Sequence, residues 1–299
     1  MERTVIVILG PTGSGKSKLS ISLAKKIGGE IVSCDSMQIY RRMDIGTAKI
    51  SKKEMENIPH HMIDIVEPNE EFSVGEYVKQ AKKIIAEIFE RNKVPIVVGG
   101  TGLYVKALAQ NYDFGFTEKN LEIREKYKKI LKEKGNEFLF NILNEKNPEI
   151  AKKIHLNDTK KIIRALEKIE NKKNLEKDLE IQDWEYLIFG LNLPREELYR
   201  RINLRTEKMF EEGLEKEVSN LIESGVSQKA QSMEGIGYKQ VIYAKENNLT
   251  RKELIGLVQQ KTRNYAIRQL TFMRGIENLI WVDAKDAEKK ILEVYYGNN

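Results

Sequence analysis

A glycine-rich octapeptide near the start of the chain constrains its fold more than any other feature. Residues 10–17 read GPTGSGKS and match the phosphate-binding pattern G-x-x-x-x-G-K-[ST]. The octapeptide follows a β-branched run, Thr4–Leu9, and precedes a helical pattern from Lys16 to Ile27. A strand, this loop and a helix in that order predict a P-loop α/β fold, with the loop at the carboxyl edge of a parallel sheet.

The loop carries its own chemistry. Its glycines let backbone N–H groups converge on phosphate oxygens, and the following helix adds the positive end of its dipole. Lys16 is expected to neutralise terminal phosphates, and the Ser17 hydroxyl is expected to bind Mg²⁺. The predicted phosphate-binding residues are Gly10, Pro11, Thr12, Gly13, Ser14, Gly15, Lys16 and Ser17. The motif indicates a phosphate ester without specifying it, and ATP or GTP is the common occupant.

The rest of the chain alternates between apolar runs and helical patterns. This alternation predicts a mostly parallel sheet with flanking helices. The further predicted strands are Glu30–Cys34, His61–Val66, Val94–Val98, Tyr186–Leu193 and Leu279–Val282. The predicted helices lie at Val74–Arg91, within Arg195–Ser224, at Arg251–Arg274 and at Ala287–Tyr296.

A lysine-rich region interrupts this alternation between about residues 117 and 183. Its segments Asn120–Gly135 and Asp158–Lys173 have a helical period and almost no β-branched runs. We therefore predict an all-helical insertion at 117–183. Residues 1–116 and 184–299 would form the P-loop core with its C-terminal helices. From composition alone, the lysines fit a nucleic-acid clamp and an ordinary solvated surface equally well.

Composition excludes several classes of protein. The net charge of +6 is compatible with a polyanionic partner and does not require one. A single cysteine, Cys34, excludes multi-cysteine zinc and iron–sulfur sites. No apolar run approaches the ~18 residues of a membrane span, and the first residues do not read as an export signal. We expect a cytoplasmic protein with no membrane partner.

An acidic residue ends the second predicted strand. Asp35 is followed by Ser36, and both residue types favour helix N-caps. The carboxyl ends of parallel strands lie at one edge of a sheet, so Asp35 should also lie near the ligand of the P-loop. That position favours a functional carboxylate, which could bind magnesium through water or act as a general base.

Six ordered motifs resemble those of bacterial tRNA dimethylallyltransferases, also called isopentenyl-pyrophosphate:tRNA transferases. The resemblance begins with a two-part first motif, DSMQIY at 35–40 followed by DIGTAK at 44–49. It continues over nearly the whole chain with GGTGLY at 99–104, RALE at 164–167, RINLR at 201–205 together with Gly213-Leu214, GIGY at 235–238 and RQLT at 268–271. Ser17 stands where threonine is frequent in the family, which retains the hydroxyl.

The resemblance implies a specific reaction. A dimethylallyl group would pass from dimethylallyl pyrophosphate to N6 of adenosine 37, beside the anticodon, in tRNAs that read codons beginning with U. Pyrophosphate would leave, Mg²⁺ would be the cofactor, and the enzyme would be a monomer. The implied catalytic residues are Asp35, Thr101, Arg201 and Arg205. The implied tRNA-binding residues are Asp35, Ser36, Met37, Gln38, Thr101, Arg124, Lys160, Lys161, Ile162, Ile163 and Arg164.

Three alternatives share parts of this pattern. A small-molecule kinase would use the same P-loop with ATP, but it would not need the basic helical insertion. An adenylate prenyltransferase would share the chemistry without a tRNA clamp. A non-catalytic RNA-binding protein would not need Lys16, Ser17 and Asp35 together.

Overall fold

The chain divides into two compact units. The structure is a computed structural model that describes residues 3–110, 120–171 and 184–297. One unit comprises residues 1–112 and 182–299, and the other comprises residues 113–181. The predicted limits of the insertion, residues 117 and 183, lie outside the described residues.

The first unit is built on a six-stranded sheet with the order β3-β2-β4-β1-β5-β6. Every strand pair in the described part of the sheet is parallel, which confirms the predicted fold class. The strands are β1 (Thr4–Leu9), β2 (Gly29–Cys34), β3 (His60–His61), β4 (Val94–Gly99), β5 (Glu185–Asn192) and β6 (Leu279–Asp283).

Eight helices of this unit flank the sheet or continue the chain beyond it in the described ranges. They are α1 (Lys16–Ile27), α2 (Val74–Glu90), α3 (Gly102–Ala109), α7 (Arg195–Glu211), α8 (Leu214–Glu223), α9 (Tyr238–Glu246), α10 (Arg251–Met273) and α11 (Ala287–Gly297). Among the described helices, we find none with the length and apolarity that a bilayer crossing requires.

The central strands are buried because they are apolar on both faces. All six residues of β1 are buried, as expected for a parallel strand between two layers of helices. One core cluster joins Ile6 and Ile8 of β1 to Leu23 of α1, Ile96 of β4 and Phe189 of β5. This packing fixes the strands whose ends carry the P-loop and Asp35.

One predicted strand differs from the structure, and one predicted helical region is resolved into its separate helices. The third strand is two residues long rather than His61–Val66, because Met62 and Asp64 have φ angles of 61° and 55° that end the extended chain. Val66 makes only an isolated bridge with Tyr40. The helical region 195–224 is two helices, which separate at Gly213, where φ is 99°.

The second unit is helical in its described part. It contains α4 (Leu121–Lys146), the single turn α5 (Pro148–Ala151) and α6 (Thr159–Asn171). Gly135 interrupts α4 with φ 82° and ψ 178°. The core is formed by Tyr127, Leu139, Leu143, Ala151, Ile162, Ile163, Ala165 and Leu166. Residues 172 and 173 of the predicted second helix lie outside the described residues.

Two glycine substitutions test the packing at the end of β4. A Cβ atom on Gly99 would lie 2.0 Å from the carbonyl oxygen of Cys34, so two backbones would have to separate. We expect Gly99→Ala to lower the free energy of unfolding by about 2 kcal/mol or more. The measurement is the midpoint of urea unfolding, followed by circular dichroism.

Gly256 provides the matched control. It lies inside α10, and a Cβ atom there meets nothing within 4 Å. Gly256→Ala should raise the free energy of unfolding by about 1 kcal/mol, because alanine favours the helix. A midpoint for Gly99→Ala at or above the wild-type value would contradict the close approach of the two strand ends.

Candidate active site at the carboxyl edge of the sheet

The P-loop turns sharply between β1 and α1. Gly13 and Gly15 have φ angles of 82° and 91°, which side chains other than glycine rarely adopt. Ser14 N donates to the carbonyl oxygen of Pro11 at 3.2 Å and closes the turn. Gly15 is also the N-cap of α1, so the loop presents its backbone N–H groups at the start of that helix.

Lys16 folds back on the loop that carries it. Its ammonium donates to the carbonyl oxygens of Gly10 at 2.9 Å and Pro11 at 2.8 Å, and to Ser14 Oγ at 3.4 Å. Burial, and then the charge of Arg205, lower the pKa of Lys16 to about 8. The Lys16 ammonium is therefore held at the loop, and it loses its proton at a lower pH than an ordinary lysine does.

A cavity of about 280 Å³ opens beside the loop. Its cationic wall comes from α7, where Arg201 and Arg205 stand one turn apart. The lining residues are Gly13, Gly15, Lys16, Ser17, Lys18, Arg201 and Arg205. The cavity therefore has the size and charge to receive a phosphate group.

Hydrogen bonds orient the two arginines of this cavity. Arg201 Nε donates to Glu197 Oε1 at 2.7 Å. Hydrogen bonds from Arg200 and Arg201 lower the pKa of Glu197 to about 2, so this carboxylate stays ionised. Arg205 Nη2 donates to the carbonyl oxygen of Thr47 at 3.4 Å, and burial lowers its pKa.

Asp35 follows β2 and begins a turn rather than the helix that an N-cap would require. Its Oδ1 accepts from Met37 N at 2.9 Å and from Gln38 N at 3.4 Å within this turn. Within the described residues, no hydrogen bond reaches its Oδ2. The charge of Asp35 also acts to raise the pKa of both Lys16 and Arg205. The carboxylate is thus oriented by the turn and faces the cationic site.

Thr101 lies beside Asp35 because β4 is the neighbour of β2. Thr101 N donates to the carbonyl oxygen of Cys34 at 3.2 Å, and its Oγ1 accepts from Ser36 N at 3.1 Å. The Tyr265 hydroxyl from α10 also interacts with Thr101. Burial and the charge of Asp35 raise the pKa of Tyr265 to about 12, which keeps this phenol neutral. The cluster offers a carboxylate and hydroxyl groups at one edge of the sheet.

Two residues that hold loops of the site together were not assigned a role from the sequence. Gln269 of α10 contacts both the P-loop and the residue before Thr101. Glu217 of α8 accepts from three successive backbone N–H groups, those of Asp44, Ile45 and Gly46, at 2.8–3.0 Å. The Tyr238 hydroxyl donates to the same carboxylate at 2.6 Å. Glu217 therefore holds the loop whose Thr47 carbonyl receives Arg205.

The sequence contained one signal for these two residues. Gln269 lies inside the RQLT motif, and Glu217 lies between the Gly213-Leu214 pair and the GIGY motif. The motifs mark the region, but burial and hydrogen-bond partners become visible only in the fold.

The predicted tRNA-binding residues of the second unit separate into two groups. Lys160, Lys161 and Arg164 are exposed on α6. Ile162 and Ile163 are only 0% and 9% exposed and pack in the core of the unit. The side chains of Ile162 and Ile163 therefore offer RNA little surface, and their predicted role in tRNA binding stays a prediction.

Arg124 is engaged within the second unit. Its Nε donates to Glu167 Oε2 at 2.8 Å, and Glu167 is only 2% exposed. Glu167 also accepts from the backbone N–H of Asn120 at 2.8 Å. The pair joins α4 to α6, so Arg124 has a structural partner that any RNA contact would share.

The donor set at the P-loop suits Mg²⁺. Among the residues that the structure describes, no group of three or more His, Cys, Asp or Glu side chains could hold a metal. Magnesium needs no such group, because it keeps several waters and binds substrate phosphates with one or two protein oxygens. Ser17 is exposed at the cavity and supplies a hydroxyl oxygen there.

Comparison with known proteins identifies the family. Residues 38–276 of this chain match the sequence model of a family that is described as IPP transferase. The chain belongs to the IPP transferase family. A relative from Acetivibrio thermocellus, named tRNA dimethylallyltransferase, is 44% identical over 97% of this chain and 95% of its own length.

Solved structures of this family have the same fold. The full-length tRNA isopentenylpyrophosphate transferase from Bacillus halodurans is 38% identical, with a TM-score of 0.74 over 99% of this chain and 96% of that protein. A eukaryotic dimethylallyltransferase acting on tRNA is 30% identical, with a TM-score of 0.77 over 94% of this chain and 74% of that protein.

The low pKa of Lys16 predicts a pH dependence of phosphate binding. We expect the affinity for an alkyl diphosphate to fall about tenfold between about pH 7 and about pH 9, because Lys16 loses its proton as the pH passes its pKa of about 8. The terminal phosphate keeps its charge over this range, since its last proton leaves near pH 6. Isothermal titration calorimetry measures the affinity.

The control for this prediction is Lys16→Arg. A guanidinium stays protonated throughout the range, so the variant should bind with an affinity that hardly changes with pH. An equally steep fall in the variant would assign the titration to another group.

Proposed function

We propose that the protein transfers a dimethylallyl group from dimethylallyl pyrophosphate to N6 of adenosine 37 of tRNA and releases pyrophosphate. The observation that carries this proposal is the proximity of two different groups at one sheet edge. A cationic cavity with Lys16, Arg201 and Arg205 adjoins the cluster of Asp35 and Thr101. The first suits a leaving diphosphate, and the second suits an acceptor amine.

The leaving group requires positive charge. When the bond between the allylic carbon and oxygen breaks, negative charge grows on the diphosphate. Lys16, Arg201 and Arg205 line the cavity and supply cations, and the loop supplies backbone N–H groups. Mg²⁺ held by Ser17 would add charge neutralisation when bound.

The acceptor requires a base. The lone pair of an adenine amine is delocalised into the ring, so the amine attacks effectively only as its proton leaves. In the proposed step, N6 forms a bond to the allylic carbon while Asp35 Oδ2 accepts the proton. The turn holds Oδ1 through Met37 N and Gln38 N, which keeps the carboxylate oriented. Thr101 would help to hold the adenine base.

The helical unit is proposed to bind the anticodon stem-loop. Exposed Lys160, Lys161 and Arg164 on α6 offer positive charge to phosphates, and such contacts weaken as salt rises. Ile162 and Ile163 support that surface from the core, and Arg124 supports it through Glu167. Adenosine 37 would leave its stacked loop to reach the site, as in other enzymes that act on a base.

The family relationship weighs against a small-molecule kinase. Its named members include tRNA dimethylallyltransferases that match this chain over nearly all of its length. An adenylate prenyltransferase remains the closest chemical alternative, because it needs the same cavity and base. The helical unit favours tRNA over a free nucleotide.

The decisive measurement is a change in mass. The protein is incubated with Mg²⁺, dimethylallyl pyrophosphate and an unmodified tRNA that carries A36-A37-A38, and the digested nucleosides are weighed. We expect a five-carbon gain on adenosine 37 that disappears when that base is changed. A gain only on free AMP would support the adenylate prenyltransferase. No gain on either acceptor would support the small-molecule kinase, which binds ATP at the P-loop.

Asp35→Asn is the matched control for this measurement. The amide keeps an oxygen that can accept from Met37 N and Gln38 N, but it cannot take a proton from the amine. We expect turnover to fall at least about 100-fold with tRNA affinity nearly unchanged. Normal single-turnover chemistry combined with lost tRNA binding would contradict the role of Asp35 as a base.

Charge reversal tests the helical unit separately. We expect Lys160→Glu combined with Lys161→Glu to raise the KM for tRNA about tenfold or more, because two phosphate contacts become repulsive. The KM for dimethylallyl pyrophosphate should stay unchanged. The control is Lys128→Glu with Lys152→Glu, which alters exposed lysines elsewhere in the same unit. Equal effects of both pairs would indicate net charge rather than a site on α6.

A further inference from the structure

Gln269 joins two loops that the sheet itself leaves unconnected. It lies on α10 and is only 7% exposed. Its Oε1 accepts from Thr12 N in the P-loop at 3.0 Å, and its Nε2 donates to the carbonyl oxygen of Gly100 at 2.9 Å. One side-chain amide therefore spans from the loop after β1 to the loop after β4.

The two hydrogen bonds fix the orientation of the amide. If the amide were reversed, its NH₂ group would face the Thr12 N–H, and its oxygen would face the Gly100 carbonyl. Both contacts would then be lost in a buried place, which costs about 1–3 kcal/mol for each unsatisfied group. The Gln269 amide consequently connects the two loops in a single orientation.

The sheet offers no substitute for this bridge. The last register pair between β1 and β4 is Leu9 with Gly99, and both chains leave the sheet after it. Among the described residues, no hydrogen bond runs directly from 10–17 to 100–104. Beyond the last register pair, the hydrogen-bonded link between the two loops runs through Gln269.

Packing between α10 and α7 supports the helix that carries Gln269. Ala266 and Leu270 of α10 pack with Leu198 and Ile202 of α7. A Cβ atom on Gly100 would lie 2.2 Å from Gln269 Nε2, so the amide fills the space beside that residue. Movement of Gln269 would require movement of α10 against the helix that carries Arg201 and Arg205.

Each end of the bridge serves a different half of the site. Thr12 belongs to the loop proposed to hold the diphosphate. Gly100 directly precedes Thr101, whose Oγ1 accepts from Ser36 N beside Asp35. The amide therefore connects the donor side of the site to the acceptor side.

We propose that Gln269 is a positioning residue that aligns the allylic carbon of the donor with the acceptor amine. This inference rests on the proposed function. Neither substrate needs the bridge in order to bind its own half of the site. The transfer step needs both halves in register, and a misplacement of about 1 Å can slow such a step about 100-fold.

Two variants separate alignment from folding. Gln269→Met has a similar length and removes both hydrogen bonds. Gln269→Glu keeps an acceptor for Thr12 N and removes the donor to the Gly100 carbonyl, so it preserves the P-loop contact. The matched control is Gln259→Met on the same helix, where Gln259 Nε2 donates to Glu207 Oε1 at 3.0 Å, outside the two loops.

The experiment measures single-turnover transfer from dimethylallyl pyrophosphate to tRNA at saturating concentrations of both. Affinities for inorganic pyrophosphate and for tRNA are measured separately by titration. We expect both Gln269 variants to slow the transfer about 100-fold. Gln269→Met should keep both affinities close to wild type. Gln269→Glu should weaken binding of pyrophosphate, because its carboxylate places a negative charge beside the P-loop, and the saturating concentrations compensate for that loss. Gln259→Met should transfer at the wild-type rate.

Each outcome has a distinct meaning. An unchanged transfer rate in Gln269→Glu, or a rate that recovers fully once lost affinity is saturated, would overturn the positioning role. If Gln259→Met slowed the transfer equally, the cause would be a general destabilisation of α10. That outcome would also overturn the positioning role of Gln269. Absence of transfer by the wild-type protein would instead reject the proposed function, independently of how the variants compare.

Discussion

The two halves of the candidate site meet because three parallel strands end side by side. In the order β2-β4-β1, Asp35, Thr101 and the P-loop follow neighbouring strand ends. Adjacent strands lie about 4.8 Å apart, so the outer two of these loops begin within about 10 Å of each other. Antiparallel pairing would have sent them to opposite edges. The chemistry is thus assembled by topology before any side chain contributes.

Electrostatics adds a second requirement to this geometry. Lys16, Arg201 and Arg205 line one small cavity, and the pKa of Lys16 is lowered by burial and by Arg205. Such a cluster is costly without an anion, and Asp35 offsets only part of the repulsion. A multiply charged phosphate ligand relieves the rest. The same arrangement that strains the ligand-free site therefore favours diphosphate binding.

The sequence predicts the parts of the protein that depend on local pattern. The β-branched run at Thr4–Leu9 and the following octapeptide predict the strand, loop and helix, and the structure confirms them. The third strand is shorter than predicted because Met62 and Asp64 adopt positive φ, which composition does not reveal. Gln269 and Glu217 act on residues more than 160 positions away, so no local pattern could assign their partners.

The contacts of Lys16 have a consequence for which anions the loop admits. The ammonium is already solvated by the carbonyl oxygens of Gly10 and Pro11, as it would be by water. An incoming anion must compete with those dipoles. A monovalent ion such as chloride gains little from that exchange, whereas a diphosphate brings several charges and many acceptor oxygens. The contacts of Lys16 therefore favour a polyanion over a monovalent anion at this loop.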